Sequence, residues 1–164
     1  MRPNRLRPFA AELARRLAGH GVKAVCGPLV GGAFLAQMVA QELDAEFYFA
    51  EQFVRPSGDG LFPVGYHIPD ALRSVARGKR AAVVDDVINA GSAVRGAFAD
   101  LRACGAVPVA TGALLVLGAP AAGFAAREGV ALEHLGQLPN TLWEPAKCPL
   151  CVSGVTLEGV ARPT

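Results

Sequence analysis

The sequence lacks an apolar run long enough to cross a membrane. A spanning helix needs about 20 consecutive apolar residues, and the most apolar stretch, residues 112–122, is interrupted by Gly118 and Pro120. The arginines near the N-terminus are not followed by the apolar segment of a signal peptide. We therefore expect a cytoplasmic protein without a membrane partner.

The sequence also lacks a dominant sign of charge. Its 16 Lys and Arg residues nearly balance its 14 Asp and Glu residues, which leaves a formal net charge of +2. Nucleic-acid binding usually requires a much stronger positive bias. We therefore expect no nucleic-acid partner.

Cysteine is scarce, and the four cysteines do not suggest a disulfide scaffold. Only Cys148 and Cys151 are spaced as a pair, and a Cys-x2-Cys pair is half of a zinc site. No second half is present in the sequence, so zinc would require two copies of the chain. The alternative is that the pair only packs structurally. A redox pair fits less well, because the two cysteines are not predicted to open a helix after a strand.

Apolar residues are abundant, at 52% of the sequence against 18% charged residues, so a sizeable core is expected. The length of 164 residues fits a single domain, 1–164, whose C-terminal tail comprises residues 143–164.

Apolar strands alternate with amphipathic helices along the sequence. This pattern predicts an α/β fold with a mostly parallel central sheet flanked by helices on both faces. Strands are predicted at residues 22–26, 46–54, 64–68, 80–84, 107–117 and 130–135. Helices are predicted at residues 8–17, 33–43, 70–76, 92–104 and 120–127. Residues 55–63, rich in glycine and proline, are predicted to form a loop.

The fourth predicted strand leads into two adjacent carboxylates, Asp85 and Asp86, and then into a run of small residues. That run begins a predicted helix, whose first N–H groups have no internal partner and attract an anion. Carboxylates next to an anion site would be repulsive unless they bound hydroxyls or a divalent cation. The pattern therefore indicates a sugar phosphate. Its anion would lie in the loop of Asn89, Ala90, Gly91, Ser92 and Ala93, and the two acids would take its ribose hydroxyls or Mg²⁺. The alternative is that the two aspartates only end a strand and cap a helix.

A second strand-to-helix turn contains Gly27, Pro28, Val30, Gly31 and Gly32. Its glycines would allow backbone N–H groups to face a diphosphate at another helix start. Glycine turns after strands are common, so this turn supports the hypothesis mainly through its place ahead of the aspartate motif.

Together these two motifs resemble those of the type I phosphoribosyltransferases. Residues 85–95, DDVINAGSAVR, are similar to the phosphoribosyl pyrophosphate (PRPP) motif, most of all to that of orotate phosphoribosyltransferases. The resemblance implies transfer of ribose 5-phosphate from PRPP to a nucleobase with release of pyrophosphate. It also implies a Mg²⁺ cofactor and a homodimer.

The resemblance implies a role for each predicted site residue. Asp85 and Asp86 would hold the ribose hydroxyls directly or through Mg²⁺, and residues 89–93 would bind the 5′-phosphate. Residues 27–32 would receive the pyrophosphate, and a loop containing Arg55 would close over it.

Several positions depart from the family pattern. Orotate enzymes usually have Thr in place of Asn89 and Lys in place of Gly31, and their mobile loop carries lysine and histidine. Here residues 52–63 contain a single cationic residue, Arg55. His67 lies just beyond them and is interpreted as structural. The segment ahead of the first motif is too short for the usual hood over the base. A non-catalytic PRPP or nucleotide sensor of the same fold is therefore the alternative function.

Overall fold

The central sheet has six strands, and helices connect most of them. The computed structural model describes residues 2–54, 64–143 and 145–155. The strands are β1 (Ala24–Pro28), β2 (Glu46–Val54), β3 (Val64–His67), β4 (Arg80–Ile88), β5 (Val107–Leu117) and β6 (Ala131–Leu138). The helices are α1 (Arg7–Leu17), α2 (Gly31–Leu43), α3 (Asp70–Ala76), α4 (Ser92–Ala103), α5 (Pro120–Glu128) and α6 (Pro149–Val152).

The order of strands across the sheet is β3-β2-β1-β4-β5-β6. Every neighbouring pair is parallel except β2 and β3, which are antiparallel. The chain first runs outward from β1 to β3 and then returns to β4 beside β1. The order therefore reverses between β1 and β4, and in open parallel sheets ligands bind at the carboxyl ends of the strands at such a point.

Alternating strand residues build a core on each face of the sheet. On one face, Val25 and Val84 pack with Leu13 of α1 and Val39 of α2. On the other face, the core contains Val83 together with residues of α3, α4 and α5. Within that second core, the rings of Phe98 and Phe124 meet edge to face with centroids 5.2 Å apart. This arrangement confirms the predicted α/β fold with helices on both faces.

Two element boundaries differ from the sequence prediction in ways that matter for the site. Strand β4 does not end before the two aspartates but continues to Ile88, because β5 is long enough to pair with it as far as Val116. Helix α2 begins at Gly31 rather than at Ala33.

None of the helices in the described ranges is both long and apolar enough to span a membrane.

Candidate functional site

The two turns predicted from the sequence meet at the point where the strand order reverses. A Cβ atom placed on Gly31 would lie 2.5 Å from Oδ2 of Asp86, and one placed on Gly32 would lie 2.6 Å from Oδ1 of Asp85. The first turn of α2 therefore rests directly against the two carboxylates at the end of β4. This close approach explains why both positions are glycine.

Asp85 and Asp86 form a closely coupled acid pair. Asp85 is only 9% exposed, whereas Asp86 is exposed. The backbone N–H of Asp86 donates to Oδ1 of Asp85 at 3.0 Å, and that of Val87 donates to Oδ1 of Asp86 at 2.9 Å. Burial, followed by the hydrogen bond and the charge of Asp86, raises the pKa of Asp85 from 3.8 to about 7. A partner for this pair must therefore donate hydrogen bonds or carry positive charge.

No cationic side chain of the described residues balances this negative charge through an ion pair. Nor do residues 2–54, 64–143 and 145–155 contain three or more His, Cys, Asp or Glu side chains grouped to hold a metal. A metal ion at the pair would therefore take most of its ligands from water and from a bound molecule. Carboxylate oxygens with such a shell suit Mg²⁺.

The predicted phosphate loop forms a cradle at the start of α4. A cavity of about 270 Å³ is lined by Asp85, Val87, Ile88, Asn89, Ala90, Gly91, Ser92 and Ala93. Gly91 precedes the helix with a φ of 76°, in the left-handed region that favours glycine. Because Ser92 and Ala93 begin the helix, their N–H groups have no partner within it. The cradle can therefore accept an anion beside the acid pair.

Two residues that the sequence analysis did not assign to the site hold this cradle. Arg95 donates a hydrogen bond from Nη1 to the carbonyl of Ala90 at 2.6 Å. Asn140, beyond the last strand, donates from Nδ2 to Oδ1 of Asn89 at 2.8 Å. Arg95 lies within the motif of residues 85–95, so its role at the cradle could have been suspected from the sequence. No local pattern connects Asn140 with Asn89, because the two residues are distant in sequence.

The second predicted turn, residues 27–32, combines the end of β1 with the start of α2. Pro28 ends the strand, and Val30 is the N-cap of α2 after a cis peptide bond between Leu29 and Val30. Gly31 and Gly32 are thus the first residues of the helix and not part of a loop ahead of it. A Cβ atom on Gly27 would lie 2.3 Å from the carbonyl oxygen of Gly32, so strand and helix pack backbone to backbone. The first N–H groups of α2 have no partner within the helix, so this turn, like the start of α4, can accept an anion at the same edge of the sheet.

Two candidates from the sequence remain, Arg55 and His67. Arg55 falls outside the described residues, so its predicted role stays a prediction. His67 pairs with Glu51 across β3 and β2, and its ring meets that of Phe53 edge to face at 6.4 Å. These contacts agree with the interpretation of His67 as structural.

A second cavity lies on the other side of the acid pair. Its volume is about 270 Å³, and it is lined by Leu6, Gly31, Phe34, Leu35, Asp86, Val87, Leu114 and Leu115. Because Asp85 and Asp86 are consecutive strand residues, their side chains point to opposite faces of the sheet. Asp85 thus borders the cradle at the start of α4, while Asp86 borders a mainly apolar cavity.

The raised pKa of Asp85 predicts how stability depends on pH. The folded protein binds the proton of the Asp85 carboxyl more tightly than the unfolded chain does. Protonated Asp85 therefore adds its full contribution to the free energy of unfolding below about pH 4, and this contribution is lost as the pH rises to about 7. Asp85→Asn removes this loss and stabilises the protein at pH 8 by up to about 4 kcal/mol. Urea unfolding from pH 4 to pH 8 measures the effect. Asp44→Asn, at an exposed position, is the control. Equal pH dependence in the wild type and Asp85→Asn would contradict the assignment.

Comparison with known protein families agrees with the geometry. The model of the phosphoribosyl transferase domain family matches residues 4–129. The orotate phosphoribosyltransferase of Thermotoga petrophila is 33% identical over 147 residues, which cover 90% of this chain and 71% of the relative. That of Caldanaerobacter subterraneus is 29% identical over 157 residues, which cover 94% of this chain and 74% of the relative.

Solved structures show the same fold. The orotate phosphoribosyltransferase of Aeropyrum pernix aligns with a TM-score of 0.61 at 25% identity over 80% of this chain and 71% of that chain. The adenine phosphoribosyltransferase of Thermoanaerobacter pseudethanolicus aligns with a TM-score of 0.64 at 18% identity over 80% of this chain and 79% of that chain, which supports the fold alone. The family match and the curated relatives confirm the resemblance found in the sequence: this chain belongs to the phosphoribosyltransferase family and is a PRPP-dependent transferase.

Proposed function

We propose that the chain transfers ribose 5-phosphate from PRPP to orotate or a closely related base and releases pyrophosphate. We further propose that it acts as a single domain, 1–164, with a C-terminal tail at residues 143–164. The observation that carries the proposal is the acid pair, which lies between two helix starts at one edge of the sheet. That arrangement offers separate sites for two anions with hydroxyl or cation binding between them.

The proposed roles follow from the chemistry of each part of the site. The 5′-phosphate binds in the cradle of Asn89, Ala90, Gly91, Ser92 and Ala93, where unpartnered N–H groups meet the positive end of α4. The pyrophosphate binds at the turn of residues 27–32, where the start of α2 presents the N–H groups of Gly31 and Gly32. Asp85 and Asp86 hold the ribose hydroxyls between these two anions.

The acid pair also fits a magnesium ion, which the family generally uses with PRPP. Asp85 and Asp86 would supply oxygen ligands. The pKa of Asp85 is raised first by burial and then by the hydrogen bond and the charge of Asp86, and a bound cation would offset that charge. When bound, the ion neutralises part of the charge on the departing diphosphate. The residues of the chain itself orient the ribose and keep it still while positive character develops at its C1.

The predicted loop that contains Arg55 is the part of this proposal that departs most from the family pattern. Arg55 is the single cationic residue of residues 52–63. We propose that it closes over the pyrophosphate in place of the lysines of related enzymes. The lysine usual at position 31 is absent here, and a Cβ at that position would press against Asp86. Stabilisation of the leaving group would therefore come more from the helix starts, and from a metal ion if Asp85 and Asp86 hold one, than from lysine.

The acceptor base fits the mainly apolar cavity beside Asp86. Leu6, Phe34, Leu114 and Leu115 can enclose the faces of a flat ring. The cavity has no cationic residue in its described lining, a specific observation that favours an uncharged base such as uracil over anionic orotate. Uracil is therefore the second candidate acceptor.

The central test measures pyrophosphate release from PRPP and Mg²⁺ with orotate, uracil and purine bases in turn. We expect release with a pyrimidine base, and Asp86→Asn should lower kcat/KM at least about 100-fold because it removes a charge at the reacting ribose. Its melting temperature should stay close to that of the wild type because Asp86 is exposed. Asp44→Asn again serves as the control and should leave turnover unchanged.

Saturable PRPP binding without release for any base would instead support the non-catalytic sensor. If PRPP neither binds nor reacts, and if Asp86→Asn unfolds the protein, the two aspartates are structural and the proposal fails.

The hydrogen bond from Asn140 to Asn89 predicts a specific effect on the affinity for PRPP. Loss of one hydrogen bond costs about 1 kcal/mol, so Asn140→Ala should raise the Kd for PRPP roughly fivefold by loosening the cradle. Calorimetric titration with PRPP and Mg²⁺ measures this shift. The neighbouring Thr141→Ala, at an exposed position, should have no effect. An unchanged Kd in Asn140→Ala would show that the bond does not organise the cradle.

We also propose that the chain forms a homodimer through the apolar surface around Phe34. Leu29, Val30 and Phe34 are 36%, 66% and 51% exposed. A cavity of about 310 Å³ beside them is bordered by Phe47 and Phe49. An exposed apolar patch of this kind is typical of a protein interface.

Phe34→Glu would place a charge in this surface and should convert dimers into monomers, as measured by light scattering after size-exclusion chromatography. Phe9→Glu, at a residue of α1 that is 53% exposed, is the matched control and should remain dimeric. A wild-type protein that is monomeric at micromolar concentration would refute the dimer.

A further inference from the structure

The cysteine pair of the C-terminal tail lies on a single helical turn. Cys148 is the N-cap of α6, and its carbonyl accepts the N–H of Val152 at 3.0 Å. The N–H of Gly154 bonds to the carbonyl of Cys151 at 3.1 Å, which closes the turn behind the second cysteine. Residues three apart on such a turn lie on the same side of it. Both cysteines are free and partly exposed.

The two thiols affect each other in opposite directions. The pKa of Cys148 is lowered, first by the backbone N–H of Cys151 and then by the Cys151 thiol and the N–H of Leu150. The pKa of Cys151 is raised, first by its hydrogen bond with the Cys148 sulfur. Cys148 is therefore the thiolate-forming member of the pair, and Cys151 keeps its proton beside it.

The other two cysteines have a contrasting environment. Cys26 and Cys104 are buried in the core that contains α4 and α5. Burial raises the pKa of Cys26 to about 12 and also raises that of Cys104. Both are inert by comparison, so thiol chemistry is confined to the tail.

We propose that Cys148 and Cys151 are a redox-active dithiol that closes to an intramolecular disulfide by exchange with a small-molecule disulfide. The proximity of the two partly exposed thiols on one turn carries this inference, and it does not depend on the proposed function. From the sequence, the pair is not expected to open a helix after a strand. In the structure Cys148 does open α6, but α6 follows the 3-10 turn Pro145–Lys147 and not a strand, so that objection is removed only in part.

The exchange balances in two steps. The Cys148 thiolate attacks one sulfur of the small disulfide, forms a mixed disulfide and releases one small thiolate, which takes up a proton. Cys151 then loses its proton and attacks the Cys148 sulfur, which releases the second small thiol. The two protein thiols are oxidised by two electrons, and the small disulfide is reduced to two thiols.

A zinc site is the competing interpretation of the same pair. The described residues offer no third His, Cys, Asp or Glu near Cys148 and Cys151. As far as the described residues go, zinc would therefore need ligands from a second chain, whereas a disulfide needs only the pair itself.

The test incubates the full chain with glutathione disulfide, alkylates the remaining thiols after unfolding and maps the peptides by mass spectrometry. We expect the peptide containing Cys148 and Cys151 to lose two hydrogens, to retain no glutathione and to regain both thiols with dithiothreitol. Cys151→Ser should trap glutathione on Cys148, because the resolving thiol is missing. Cys148→Ser should acquire glutathione on Cys151 at least about tenfold more slowly.

Other results would overturn the proposal. Two alkylatable thiols after incubation, or a wild-type protein that ends as a glutathione adduct, would show that no disulfide closes. Equal rates in Cys148→Ser and Cys151→Ser would show that Cys148 is not the attacking thiol. Purified protein with one zinc per two chains, bound through these cysteines and blocking oxidation, would identify a metal site instead.

Discussion

The site depends on two carboxylates placed side by side at the end of a buried strand. Asp85 is almost fully enclosed, and the charge of Asp86 beside it makes ionisation of both groups unfavourable, which raises the pKa of Asp85 to about 7. No described cation relieves this repulsion through an ion pair. The protein thus holds unbalanced negative charge at the point where a metal ion or ribose hydroxyls would provide the missing partners.

The backbone around the acid pair is arranged so that it can approach the two carboxylates closely. The first turn of α2 can approach the acid pair only because Gly31 and Gly32 have no side chains. The same approach brings the N–H groups of α2 to the edge of the sheet where α4 also begins. Two positive helix ends then flank the two acids, an arrangement suited to a ligand with an anion at each end and hydroxyls in its middle.

Much of this arrangement could be predicted because its signals are local. A buried strand followed by Asp85, Asp86 and small residues is contiguous in sequence, and the family resemblance carried by that run is confirmed by its relatives. Long-range contacts could not be predicted in the same way. The extension of β4 to Ile88 requires β5 as a partner, and the support of Asn89 by Asn140 requires the path of the chain beyond β6. The helix opened by Cys148 was missed because four residues are too few to show a period.

The most direct test of the account is a crystal structure of the chain with PRPP and Mg²⁺. We predict that the 5′-phosphate lies at the start of α4 and the pyrophosphate at the start of α2, with the ribose hydroxyls or the metal ion on Asp85 and Asp86. PRPP bound elsewhere, or bound here with both carboxylates turned away from the ribose and the metal ion, would contradict the account.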